Sequence, residues 1–188
     1  MNSVIKAAAE LQAVCESQDW RFCFIGGLAL QRWSEPRETV DVDLTLFAGF
    51  GNEQQFSDVL LTHFTARISD AAAFARDRRV LLLRSTTGVG LDVALAALPY
   101  EALVIERSSY FVYPPDVSLR TCSAEDLIVL KAFAGRGQDW VDIERIIVRQ
   151  TGKLDWNYIR DQLQPLAELN EAPEILNQLE ERRVEFER

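Results

Sequence analysis

The sequence predicts an α/β (α+β) chain, with a mixed sheet flanked by helices over residues 1–120 and a helical portion over 121–188. Three observations carry that expectation. Phe24 to Phe47 runs an apolar strand into Gly26-Gly27, then an amphipathic stretch, then a second strand opened by Asp41-Val42-Asp43. Val80 to Ser85 and Leu91 to Ala96 flank Thr87-Gly88-Val89-Gly90 and read as an antiparallel hairpin. From Ser123 onward, every segment has helical character.

Taken in order, Ser3 to Ser17 is helical because Val4, Ala8, Leu11 and Cys15 recur at helical spacing. Arg21 to Ile25 is the first strand and Leu28 to Trp33 a short helix. Pro36 makes Ser34 to Arg37 a turn, since it disfavours helix at the residue before it. Asp41 to Phe47 is the second strand, stopped by the glycines of 48–52. Glu53 to Phe64, Asp70 to Arg78 and a piece near Tyr100 to Glu106 are expected as helices, the last leading to Tyr110-Phe111-Val112-Tyr113 and Pro114-Pro115. Ser123 caps a helix, with Asp126 in the capping-box position. Helices over 124–134, 138–151, 155–169 and 173–187 follow, with breaks expected at Gly135, Gly137, Gly152, Pro165 and Pro173.

Composition narrows the function classes. The chain has 188 residues, nearly half of them hydrophobic, with ten Phe and four Trp, so it buries a sizeable core and is not a disordered chain. Its three cysteines, Cys15, Cys23 and Cys122, are scattered, and with His63 as the single histidine they make no zinc pattern. That usage, with no signal-type apolar core at the start and no run long enough to span a membrane, predicts a cytoplasmic protein without a membrane partner. A net charge of −9 disfavours a general nucleic-acid binder held by phosphate neutralisation. Local basic groupings remain: Arg76, Arg78 and Arg79 with Arg84, and Lys131 with Arg136, the first most simply a solvated surface.

The chemistry-bearing residues sit where strands begin and end. Asp41 and Asp43 flank one residue, so their carboxylates leave the same strand face with Cα atoms roughly 6.5–7 Å apart. Such a pair can hold Mg²⁺, whose oxygen ligands lie at about 2.0–2.1 Å. About one D-x-D is expected by chance in a chain this rich in aspartate, so the weight rests on its context, strand–Gly-Gly–helix–strand. Gly26 and Gly27 have no Cβ, which lets a phosphate approach the backbone where a helix begins. Asp92 shares a strand face with Ala94 and Ala96, opposite Leu91, Val93 and Leu95. A carboxylate so placed points to metal or hydrogen-bond partners; the competing reading is a surface aspartate on an edge strand. Capping or solvated strand-end roles compete for Asp41 and Asp43. The four tryptophans read as core or interface residues, and His63 as a helix-end residue.

Phe24-Ile25-Gly26-Gly27-Leu28-Ala29, Arg37-Glu38-Thr39-Val40-Asp41-Val42-Asp43-Leu44 and the stretch from Ala124 through Lys131 and Arg136 to Asp139 and Asp142 resemble the nucleotidyltransferase superfamily with a DNA polymerase β-like palm. Within it they look most like the AbiEii/AbiGii type, the toxin halves of bacterial toxin–antitoxin and phage-defence pairs. The likeness covers roughly residues 20–150. Where the superfamily often has Gly-Ser, this chain has Gly26-Gly27 and no serine hydroxyl for a phosphate.

The resemblance implies NMP transfer from an NTP to an acceptor hydroxyl of tRNA or protein, with release of pyrophosphate. It implies two Mg²⁺ ions on Asp41, Asp43 and Asp92, with Asp92 also helping to deprotonate the acceptor. Gly26 and Gly27 would face the phosphates and Lys131 would neutralise the triphosphate. Arg37 would orient a phosphate or order the loop before the metal strand. Asp139 and Asp142 would fix Lys131 or bound the nucleotide pocket. For Lys131 the competing reading is a snorkelling surface lysine, and for Arg136, Asp139 and Asp142 a helix-start charge cluster. A cognate antitoxin is the implied partner. Two other functions compete: an antibiotic nucleotidyltransferase acting on a cationic aminoglycoside, which suits an acidic chain, and a non-catalytic palm that binds a nucleotide or a protein.

Overall fold

The structure is a computed structural model and describes residues 2–187. It divides into two compact units, one made of residues 1–28 and 38–122 and the other of 29–37 and 123–188.

The first unit is built on a mixed sheet, seven-stranded among the described residues: β1 (Phe22–Phe24), β2 (Asp41–Phe47), β3 (Thr65–Ala66), β4 (Val80–Arg84), β5 (Gly90–Ala96), β6 (Ser109–Tyr113) and β7 (Val117–Thr121). They lie in the order β3-β4-β5-β2-β1-β7-β6. β2 runs parallel to β5 and antiparallel to β1, and β4 and β5 form the expected hairpin. Strands β3, β6 and β7 go beyond the sequence reading: β3 is only two residues long, β6 is mostly exposed, and β7 follows a Pro-Pro turn with only Val117 and Leu119 against the core. β5 lies between β4 and β2, so Asp92 is not on an edge strand.

Helix α1 (Ser3–Ser17) buries the stripe Val4, Ile5, Ala8, Leu11 and Cys15, and Asn2 caps it through a hydrogen bond from the Val4 amide. Gln12 ties α1 to β7, donating to the Ser118 carbonyl and accepting from the Arg120 amide, both at 3.0 Å. Helices α3 (Glu53–His63), α4 (Ala71–Arg78) and α5 (Pro99–Glu106) match the expected segments closely. The core of Phe24, Leu28, Leu44, Leu46, Leu81, Leu83, Leu91 and Leu95 is almost wholly sealed from water. Each such side chain contributes about 1.5–3 kcal/mol, which holds β2 and β5 in rigid register. The three cysteines are free buried thiols, and burial, with the Glu16 charge behind it, pushes Cys15 up to about 12.

Helix α2 (Gly26–Trp33) contributes its first three residues to the first unit and the rest to the second. The Gly-Gly pair therefore opens the helix itself rather than a turn ahead of it.

The second unit otherwise consists of α6 (Ala124–Ala134), α7 (Gly137–Arg149), α8 (Trp156–Leu169) and α9 (Glu174–Phe186). Ser123 caps α6, accepting from the Asp126 amide at 3.0 Å, and Gly135 ends it in the left-handed conformation. Pro165 does not break α8: it lies inside the helix, whose stripe Ile159, Leu163, Leu166 and Ala167 stays buried across it. Burial of that stripe outweighs one missing backbone hydrogen bond. No described helix is long and apolar enough to cross a membrane.

Candidate active site

Register assembles the first cluster. Asp43 of β2 pairs with Asp92 of β5, and Asp41 pairs with Gly90 one step along. Partners in register on neighbouring strands project from the same face, so three carboxylates gather at one end of the β2–β5 pair. All three are intermediate in burial while Val42, Leu91 and Val93 are sealed into the core.

The glycines make room for these carboxylates. Gly26 has φ +56, and a Cβ there would collide with the Asp43 carboxylate. A Cβ on Gly27 would collide with Thr39 Oγ1, and one on Gly90 with Asp41 Oδ1. The Ile25 amide donates to the Asp43 carbonyl at 3.0 Å, which fixes the start of α2 against the metal-strand candidate. Gly26 and Gly27 sit in the first turn of α2, where backbone N–H groups have no intrahelical acceptor.

One cation reaches this face. The Arg67 amide donates to the Leu82 carbonyl at 3.0 Å, continuing the β3–β4 pairing. Leu82 pairs with Asp92 and Asp92 with Asp43, so Arg67, Leu82, Asp92 and Asp43 form one row across four strands. The Arg67 guanidinium is ion-paired to Asp92 through Nη2. Its Nη1 lies 2.8 Å from where a Cβ of Gly90 would stand, in the space bordered by Asp41. Burial pushes the Asp92 carboxyl above its ordinary value; the Asp41 charge adds to the rise and the Arg67 charge offsets part of it. Sequence reasoning missed Arg67, because it stands alone after a helix end with no neighbouring basic residue. The signal was its place at the end of a short edge strand, legible only once pairing is known.

The three carboxylates on this face supply hard oxygen donors of the kind a divalent cation takes, and the guanidinium is a cation beside them. Among the described residues, no three His, Cys, Asp or Glu side chains are grouped closely enough to hold a metal ion.

A second cluster forms within the helical unit. Lys131 Nζ donates to Asp139 Oδ1 at 3.1 Å and to Asp142 Oδ2 at 2.7 Å, and its side chain is 8% exposed. Arg37 grips Asp142 with two hydrogen bonds, Nε at 3.1 Å and Nη2 at 3.0 Å. Arg136 Nε donates to Asp139 Oδ2 at 2.7 Å and Gln138 to Asp142 Oδ1 at 3.1 Å. Burial pushes the Asp142 carboxyl up, but the Arg37, Lys131 and Gln138 hydrogen bonds together outweigh it and hold the group below its ordinary value. The reading of Lys131 as a solvated surface lysine does not survive this burial. Gly26, Gly27, Asp41, Asp43 and Asp92 thus meet in the first unit, and Arg37, Lys131, Asp139 and Asp142 in the second.

Residues 11–183 match the family model described as the nucleotidyl transferase AbiEii toxin of a type IV toxin–antitoxin system. The chain belongs to the AbiEii nucleotidyltransferase toxin family. It is accordingly a nucleotidyltransferase. No curated protein matches it. Among solved structures, this AbiEii-family chain is similar to an antigenic nucleotidyltransferase-like protein from Paracoccidioides brasiliensis, at 16% identity and TM-score 0.50 over 94% of this chain and 92% of that one. It is also similar to the lincosamide antibiotic adenylyltransferase LnuA in its lincomycin-bound form, at 14% identity and TM-score 0.50 over 75% of this chain and 94% of that one. At such identities the likeness is one of fold, which agrees with the mixed sheet and its flanking helices.

Proposed function

We propose that this chain transfers an NMP group from an NTP to an acceptor hydroxyl, on tRNA or protein, in a divalent-metal-dependent reaction at the β2–β5 carboxylates. The observation that carries the reading is the register that puts Asp41, Asp43 and Asp92 on one face beside the glycine-opened start of α2. Asp41 and Asp43 hold Mg²⁺, with Asp92 completing the donor set. Bound there, two Mg²⁺ ions supply the Lewis acidity for in-line displacement at phosphorus. By the family resemblance, Asp92 would also help take the proton from the acceptor hydroxyl. The N–H groups of Gly26 and Gly27 bind phosphate oxygens.

In the helical unit, Lys131 has three N–H donors, and Asp139 and Asp142 engage two of them. The family resemblance assigns Lys131 to the triphosphate; Asp139 and Asp142 hold the lysine, and Arg37 grips Asp142 in turn. The family, described as the toxin of a type IV toxin–antitoxin system, supports an antitoxin as partner. An acidic chain of net charge −9 also favours a cationic acceptor, which keeps an aminoglycoside-type antibiotic as the second reading.

The test gives the purified protein each α-labelled NTP with Mg²⁺ and, separately, total tRNA, a protein lysate and an aminoglycoside panel. Label on tRNA or protein, absent from an Asp41→Ala/Asp43→Ala variant, is the expected result. Label on the antibiotic alone selects the second reading. NTP binding without transfer to any acceptor would leave a non-catalytic binding module.

A further inference from the structure

The Arg67 guanidinium lies where the proposed metal chemistry needs a cation, and its seat there is imperfect. Among the described residues, Arg67 Nε is the one buried side-chain nitrogen or oxygen without a hydrogen-bond partner. Leaving such a donor unsatisfied is unfavourable, since it has lost water without gaining a partner. Nη2 is engaged by Asp92, and Nη1 lies over Gly90 in the gap bordered by Asp41. Gly90 is needed for this arrangement, since a Cβ would occupy that gap. The side chain is 23% exposed and issues from the end of β3, the outermost strand of the sheet on that side.

We propose that Arg67 is a built-in stand-in for the metal: its guanidinium neutralises Asp92, beside Asp41, in the metal-free protein and must leave when a divalent ion enters. The inference rests on the metal reading above and adds a positioning residue to it. Without a counter-cation, three carboxylates on one face repel one another, and the register of β2 against β5 carries that strain. Arg67 relieves it, at the expense of competing with the ion for Asp92. A ligand that must displace a resident group binds with an apparent affinity reduced by the fraction of time the site is free. Arg67 therefore sets a threshold metal concentration for assembling the site.

The experiment measures Mn²⁺ binding by titration calorimetry in the full-length chain, without nucleotide, for wild type, Arg67→Gln, Arg67→Lys and Asp43→Asn. Unfolding midpoints are recorded with and without Mn²⁺. Arg67→Gln is expected to bind Mn²⁺ at least tenfold more tightly than wild type, and to gain more in midpoint when metal is added. Arg67→Lys keeps a cation and is expected to stay near wild type; it also serves if the Gln variant folds poorly. Asp43→Asn is expected to lose the binding. Equal or weaker Mn²⁺ binding by Arg67→Gln, beside normal binding by wild type, overturns the inference and leaves the metal reading standing. No binding by either protein sinks the metal reading and the inference together.

Discussion

The two charged clusters are built on opposite logic. On the sheet, Asp92 beside Asp41 is ion-paired to Arg67, and that guanidinium keeps an unsatisfied Nε. In the helical unit, Asp139 and Asp142 are gripped by three cations and a glutamine amide. The first cluster stands on a partly open face, its three carboxylates all half-buried. The second sets three cations against two carboxylates, with the Asp142 side chain wholly buried. An arrangement left short of positive charge is one that gains from a ligand, whereas a completed network mainly gains rigidity. Removing a group from each should therefore hit different observables.

The largest expected effect is catalytic. Asp43→Asn should lower NMP transfer a thousandfold or more, about 4 kcal/mol of barrier, because a ligand of the reacting ions is gone. Its unfolding midpoint should stay close to wild type. Next comes Lys131→Met, which leaves two buried carboxylates facing one another and should destabilise the chain by about 3 kcal/mol in urea unfolding. If Lys131→Met unfolds like wild type, the contrast between the clusters fails. Gly26→Ala follows: at φ +56, and with Asp43 in the way, a methyl group should cost about 1–3 kcal/mol and reduce transfer by turning that carboxylate aside.

The smallest effect is a pH dependence. The Asp142 carboxyl is held below its ordinary value, so its stabilising contribution is complete above the unfolded-state value of about 3.9. It is lost as pH falls from there through the lower folded-state value. Urea midpoints of wild type should drop over that window, and those of Asp142→Asn should drop less.

Much of this was legible in the sequence for local reasons. Helix α1, strand β2 and the β4–β5 hairpin come from apolar spacing and glycine placement, and their limits match within a residue or two. Asp41 and Asp43 were readable because a strand's alternation needs no tertiary knowledge. What escaped depends on pairing. The role of Gly26 and Gly90 as space for Asp43 and Asp41 follows from close approach between strands and helix, which a linear reading cannot supply. Arg67 reaches the site only because a two-residue strand aligns it with Leu82 and Asp92. Pro165 misled because proline is a strong local stop signal, while the buried stripe on either side of it is a tertiary effect.

The most direct test of the central claim is the Mg²⁺ dependence of pyrophosphate release from NTP with a responsive acceptor, in wild type and Asp43→Asn. The account predicts no release in EDTA, saturable release as Mg²⁺ is added, and none from a folded Asp43→Asn protein. Release that persists in EDTA, or that survives in Asp43→Asn, would contradict it.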